Sequence, residues 1–188
     1  MKIHIENVSL QQNKNMLLDF KIDKLTNSLE NATTGEILQT EVFPIEEVDL
    51  KSISKKAGWK FNWKKEFFDR RKQVYKLVLQ QQPNIIQGLI CFEIKSDHIF
   101  MYLIETAPHN FGKTKKYFGV AGNLVAFGCK ISFENGFEGY IAFESKTKLI
   151  GQYSKTLGAK LLFGQHMELD TNASIKLINR FFPDFFNK

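Results

Sequence analysis

The feature that most constrains the fold is the succession in residues 98–132: an apolar stretch, a loop rich in lysine and glycine, then apolar residues at helical spacing. Residues 98–106 read as a buried strand. The loop closes on Lys116-Tyr117-Phe118-Gly119-Val120-Ala121-Gly122, and Val120, Leu124, Phe127, Gly128 and Ile131 continue with the period of a helix. Gly119, Ala121 and Gly122 carry too little side chain to hold a ligand off the backbone, and a helix start offers free N–H groups to an anion. Between Thr106 and Phe133 stand four lysines and no carboxylate. This is a phosphate site in outline, set between a strand and a helix.

The flanking chain predicts what surrounds that site. Upstream, 74–79, 85–94 and 98–106 are β-rich and separated by turns at 80–84, with Pro83, and at 96–97, which predicts an antiparallel meander. Downstream, Asn135-Gly136 ends the helix and 139–144 is a buried strand. Residues 147–157 form a helix with Leu149, Ile150, Tyr153 and Leu157 on one side and Gly158 as its stop. Residues 160–169 read as one strand. Asp170 or Thr171 caps a last helix whose face is Ile175, Ile178, Phe181 and Phe182. Before the meander, 46–73 read as a helix with Trp59, Trp63 and Phe67 on one face and Lys60, Lys64, Lys65, Arg70 and Arg71 on the others. Alternation in 19–25 and 37–43 suggests an edge hairpin, closed by Pro44. Residues 1–58 are therefore an extension of the same globule, and 59–188 the main domain.

With 188 residues, 43% of them apolar and 18 of them phenylalanine, the chain can build one large packed core. No apolar run approaches the roughly 18 residues of a membrane span, and 1–14 lacks the apolar stretch of a leader. Cys91 and Cys129 stand apart with no ligand spacing, as buried free thiols of a reducing compartment would, so a cytoplasmic protein is expected. The net charge of +6 is uneven: −5 over 1–50, +8 over 51–76 and +3 over 77–188. The basic segment is a solvated helix face or a surface for nucleic acid or an acidic partner. No histidine stands at metal-ligand spacing from a cysteine, Gly112-Lys113-Thr114 lacks the rest of a Walker loop, and no Gly-x-Ser-x-Gly elbow is present.

Two motifs carry a family resemblance. Lys116-Tyr117-Phe118-Gly119-Val120-Ala121 resembles the Arg/Gln-x-x-Gly-x-Gly/Ala motif of the GNAT superfamily of acyl-CoA N-acyltransferases, with lysine first. Tyr153-Ser154-Lys155-Thr156-Leu157-Gly158-Ala159 resembles its Tyr-x-x-x-Leu-Gly-aromatic signature, with alanine last. The order of elements agrees over about 74–182. The resemblance implies an α/β (α+β) fold, with a mixed, mostly antiparallel sheet flanked by helices and an N-terminal extension. It implies acetyl-CoA (coenzyme A) as cofactor and an N-acetyltransferase whose primary amine attacks directly in a ternary complex. Its pyrophosphate would sit on Lys116, Tyr117, Phe118, Gly119, Val120, Ala121, Gly122 and Asn123. Its thioester would lie along 103–106, against Ile104 and Thr106, with an N–H near Ile104 or Glu105 polarising the carbonyl. Tyr153 would be the acid to the leaving thiolate and Glu105 the base, with His109 able to replace either. Lys146 stands where the family often has asparagine. The acceptor is left open among a small amine, a protein amine and an aminoacyl-tRNA, and a homodimer is compatible. The rival reading is a GNAT-fold binding module, docking a partner or nucleic acid through 51–76 with little or no catalysis.

Overall fold

The computed structural model describes residues 17–187; the stretch 1–14, read above for a leader, lies outside the described residues. In chain order the strands are β1 (Leu29–Asn31), β2 (Ile37–Leu38), β3 (Thr40–Pro44), β4 (Gln73–Leu79), β5 (Gln82–Ile94), β6 (Ile99–Thr106), β7 (Tyr117–Phe118), β8 (Ile141–Glu144), β9 (Lys160–Phe163) and β10 (His166–Leu169). The α-helices are α1 (Trp63–Phe68), α2 (Val120–Glu134), α3 (Ile150–Leu157) and α4 (Thr171–Phe181). Seven strands pair in the order β3-β4-β5-β6-β8-β10-β9, all antiparallel except β6 with β8, and β2-β1-β7 form a small second sheet. Among the described residues, no helix is long and apolar enough to cross a membrane.

The expected meander is there, with β4, β5 and β6 joined by short turns. The two-residue link Gln80-Gln81 is tighter than expected, and Pro83 lies inside β5. Val78 pairs with Ile86 and Leu79 with Gln82, so 83–85 bulge out of the ladder where a missing N–H does no harm. One face of the sheet packs Leu77, Ile90, Met101, Ile104 and Phe143 under α2. Gly88 allows that approach, because a Cβ there would stand 2.6 Å from Val120 Cγ1. The opposite face packs Leu89, Cys91 and Leu103 under Trp59 and Trp63.

Four sequence expectations change. Residues 46–73 are not one helix but two 3-10 turns, Glu47–Lys51 and Lys55–Ala57, followed by the six-residue α1. Gly58 at φ +92° and the cap at Asn62 break the path, although Trp59 and Trp63 still meet edge to face at 6.4 Å. The hairpin of 19–25 with 37–43 is replaced by β1 with β2, while β3 joins the main sheet and ends at Pro44 as anticipated. Residues 160–169 split into the β9-β10 hairpin. The last helix is capped by Asp170, one of the two expected caps, its side chain accepting from the Ala173 N–H, but its buried face adds Ala173 and Leu177 to Ile178 and Phe181 and leaves Ile175 and Phe182 only partly buried.

Candidate active site

The cleft begins where β6 and β8 part. Their parallel pairing joins 99–101 to 141–143 only, and β6 runs on to Thr106. Opposite β5, Phe92 faces Met101 and Cys91 faces Leu103, which leaves Tyr102 as an inserted residue. Such a bulge bends and twists its strand. It also shifts the alternation, so that Met101 and Ile104 both reach the α2 face although three positions apart. Beyond β8, the Ser145 N–H points to Gln165 on the β10 side. The backbone groups of Glu144 and Lys146 therefore face the side that β6 has left.

Part of the chain's own N-terminal extension lies in this cleft. Leu18 donates from its N–H to Glu144 O at 2.7 Å and accepts at its carbonyl from the Lys146 N–H at 3.2 Å, a parallel bridge centred on Ser145. The Tyr153 hydroxyl donates to Phe20 O at 2.6 Å and accepts from Phe20 N–H at 3.2 Å. Gln152 Nε2 holds Ile22 O at 3.1 Å. Leu18, Phe20 and Ile22 are buried and Asp19, Lys21 and Asp23 exposed, the alternation of an extended strand. Asp19 pairs with Lys146, which keeps its carboxyl below the usual range.

The path ends at the start of α2. Gly119, at φ +87°, leads the helix, and its N–H donates to Asp23 Oδ1 at 3.3 Å while Lys115 Nζ holds Oδ2 at 2.9 Å. A Cβ on Gly119 would stand 1.9 Å from Thr26 Oγ1, so only glycine fits. The N–H groups of Val120, Ala121 and Gly122 follow in the first turn, where a helix supplies no acceptor of its own. The helix start expected at this turn is present, and a carboxylate from the same chain stands at its edge.

The predicted site residues come together unevenly. Tyr117 and Phe118 form β7 and pair with Asn31 and Glu30, and the Lys116 carbonyl accepts from Ala32 N–H, so the loop backbone before Gly119 is engaged by the extension. The Lys116 side chain is exposed. Val120, Ala121 and Gly122 are buried in the first turn, and Leu25 approaches Gly122. Asn123 is turned to Thr40 Oγ1 at 3.0 Å rather than toward the cleft. Ile104 is core, and Thr106 is paired with Gly88.

Both expected catalytic residues are engaged by other parts of the chain. Tyr153 is fully buried with its hydroxyl occupied by Phe20, and burial pushes its pKa well up, so it stays a protonated donor. Glu105 is the anchor of the aromatic segment. Its carboxylate accepts from Lys60 N–H at 2.6 Å, Trp63 Nε1 at 2.7 Å and, more weakly, Phe61 N–H at 3.4 Å. This carboxylate, only 7% exposed, orders 60–63.

A cluster that the sequence reading did not assemble follows β6. Buried Gln87 presents Oε1 to Asn110 Nδ2 and to His109 Nε2, each at 2.9 Å. With Nε2 as donor, Nδ1 of His109 carries the lone pair. Burial, then the nearby Lys116, holds the His109 pKa below its ordinary value, so the ring is neutral at pH 7. His109 lines a cavity of about 400 Å³ with Trp59, Ile85, Ile86, Ala107 and Pro108. The signal available was a glutamine in the apolar run 85–92, a residue that a buried strand admits only with partners.

The strand order, the single parallel pair opened by a bulge and the glycine-led helix beside it are those of the GNAT acyltransferase fold. Two chimeras of spermidine N-acetyltransferase SpeG from Vibrio cholerae and hSSAT each match 73% of this chain and 99% of their own, at 16% identity and a TM-score of 0.50. A third such chimera matches the same share at 18% identity and a TM-score of 0.48. No protein-family model and no curated protein matches the sequence.

Proposed function

We propose that the chain is an acyl-CoA-dependent N-acyltransferase, most simply an acetyltransferase acting on a primary amine. The observation that carries this reading is the cleft between β6 and β8, which runs from a free strand edge to a helix start with Lys115 beside it. An edge takes up amide groups and a helix start takes up a pyrophosphate, and acetyl-CoA presents both. When bound, it supplies the activated thioester. The first-turn N–H groups of Val120, Ala121 and Gly122, with Gly119 and Lys115, would hold its anionic handle. The 103–106 edge of β6 would orient the acyl end, and proximity accounts for much of the acceleration. Tyr153 would give its proton to the departing thiolate once its hydroxyl is released from Phe20. His109 would receive the proton of the amine at Nδ1, with Glu105 fixing the segment 60–63 that follows Trp59 of the cavity wall.

The matched enzymes are named for spermidine, a polycation. Here the segment 51–76 carries +8, which favours an amine on a neutral or anionic carrier such as a protein or an aminoacyl-tRNA. The cytoplasm is the compartment proposed, since acyl-CoA and two buried thiols belong there; burial pushes the Cys129 pKa up to about 12.

Isothermal titration of the full chain with acetyl-CoA tests the reading. A saturable dissociation constant in the micromolar to millimolar range is expected, and Tyr153→Phe should keep the affinity while lowering turnover. No binding at millimolar ligand would leave the fold as a docking module, the second reading, which the filled cleft favours.

A further inference from the structure

Resting on the acyl-donor reading, we propose that residues 17–26 are a tethered competitor of the donor: a piece of the chain's own backbone that lies in the donor cleft and leaves it when the donor binds. The segment offers the cleft the chemistry that a pantetheine arm and its phosphates would offer, and in the same order. First comes an amide backbone, with the N–H and carbonyl of Leu18 on Glu144 and Lys146. Next is Phe20, whose N–H and carbonyl both engage the Tyr153 hydroxyl. Last comes an anion, the Asp23 carboxylate between Gly119 N–H and Lys115. Five residues of extended chain span about 17 Å from bridge to anion.

The manner of attachment suits a part that departs. Among the described residues, 17–26 make one isolated bridge and no strand of either sheet. Asp23 and Lys115 keep 22% and 20% of their side-chain surface in water. The grip comes from Leu18, Phe20 and Ile22, and the apolar cleft surface that they cover would be covered in turn by a bound donor arm. While the segment is seated, Tyr153 is masked as a proton donor, so one movement opens the site and frees its acid. Because the occupant is tethered, it competes at a fixed high effective concentration, and the donor's apparent affinity is reduced by the fraction of closed molecules.

The test uses the full chain. Asp23→Ala removes the anion at the start of α2 and leaves the apolar anchors in place. Titration with acetyl-CoA should then give a dissociation constant about five- to tenfold lower than wild type. In the wild type, hydrogen exchange over 17–26 should quicken on saturation with acetyl-CoA while that over 98–134 slows, a readout that does not depend on the variant folding. Equal affinities in the two proteins, with exchange over 17–26 unchanged or slower in the complex, would overturn the competitor while leaving the donor site standing. No binding to either protein overturns the donor reading and the competitor with it.

Discussion

Single residues decide which groups in the site are free to act. Glu105 was the natural base by its place at the strand end, yet three N–H donors from 60–63 converge on it. Removing one carboxylate would leave three donors without an acceptor, Trp63 Nε1 buried and the two backbone N–H groups partly so, at a cost of about 1 kcal/mol or more apiece. Glu105→Ala is therefore expected to lower stability by about 2–4 kcal/mol, read from denaturant unfolding. A variant as stable as wild type, with activity alone lost, would return Glu105 to the role of base. Gly119 is the opposite case, a residue whose importance was legible because a left-handed helix lead with no side chain is what an anion site at a helix start needs. What was not legible is that Thr26 and Asp23 fill the space it leaves.

Elements formed where local chemistry was sufficient. The last helix begins at Asp170 because its carboxylate accepts from Ala173 N–H while its other oxygen pairs with Lys160. The Lys160 hydrogen bond first, and then the cap itself, hold the Asp170 pKa below its ordinary value. A carboxylate held down in the fold contributes stability that is fully present above its unfolded pKa and is lost as pH falls through the folded one. Asp170→Ala should cost about 1 kcal/mol near neutral pH. Its difference from wild type should shrink below about pH 4, as checked by thermal unfolding across a pH series; a difference constant with pH would mean that the charge is idle. The broken path of 46–73 is the converse. The four-residue spacing of Trp59, Trp63 and Phe67 is genuine, but Gly58 and Asn62 interrupt the backbone, and the Glu105 carboxylate sets where it resumes.

On the scale of the whole molecule, charge is segregated, and Lys64, Lys65, Arg70 and Arg71 stand exposed on the segment that carries +8. If the acceptor amine rides on tRNA, binding should weaken steeply between 50 and 200 mM salt, with log affinity linear in log salt. Reversing those four charges should abolish it while acetyl-CoA affinity stays unchanged. Filter binding with a bulk tRNA preparation reads the outcome, and affinity indifferent to salt would remove the nucleic-acid carrier. The sequence by itself determined the meander of β4 to β6, the α2 helix with its glycine lead, α3 and the order that identifies the fold, because periodicity, caps and turns act within a few residues. Only the tertiary structure decided what the cleft contains and which side chains are masked. Tyr153 meets Phe20 across 133 positions, Asp23 meets Gly119 across 96, and Trp63 meets Glu105 across 42. Contacts over such separations leave no local pattern, since they depend on how the whole sheet brings its edges and loops together. The glycine-led start of α2 could thus be read from 98–132, whereas its present neighbour, the chain's own Asp23, could not.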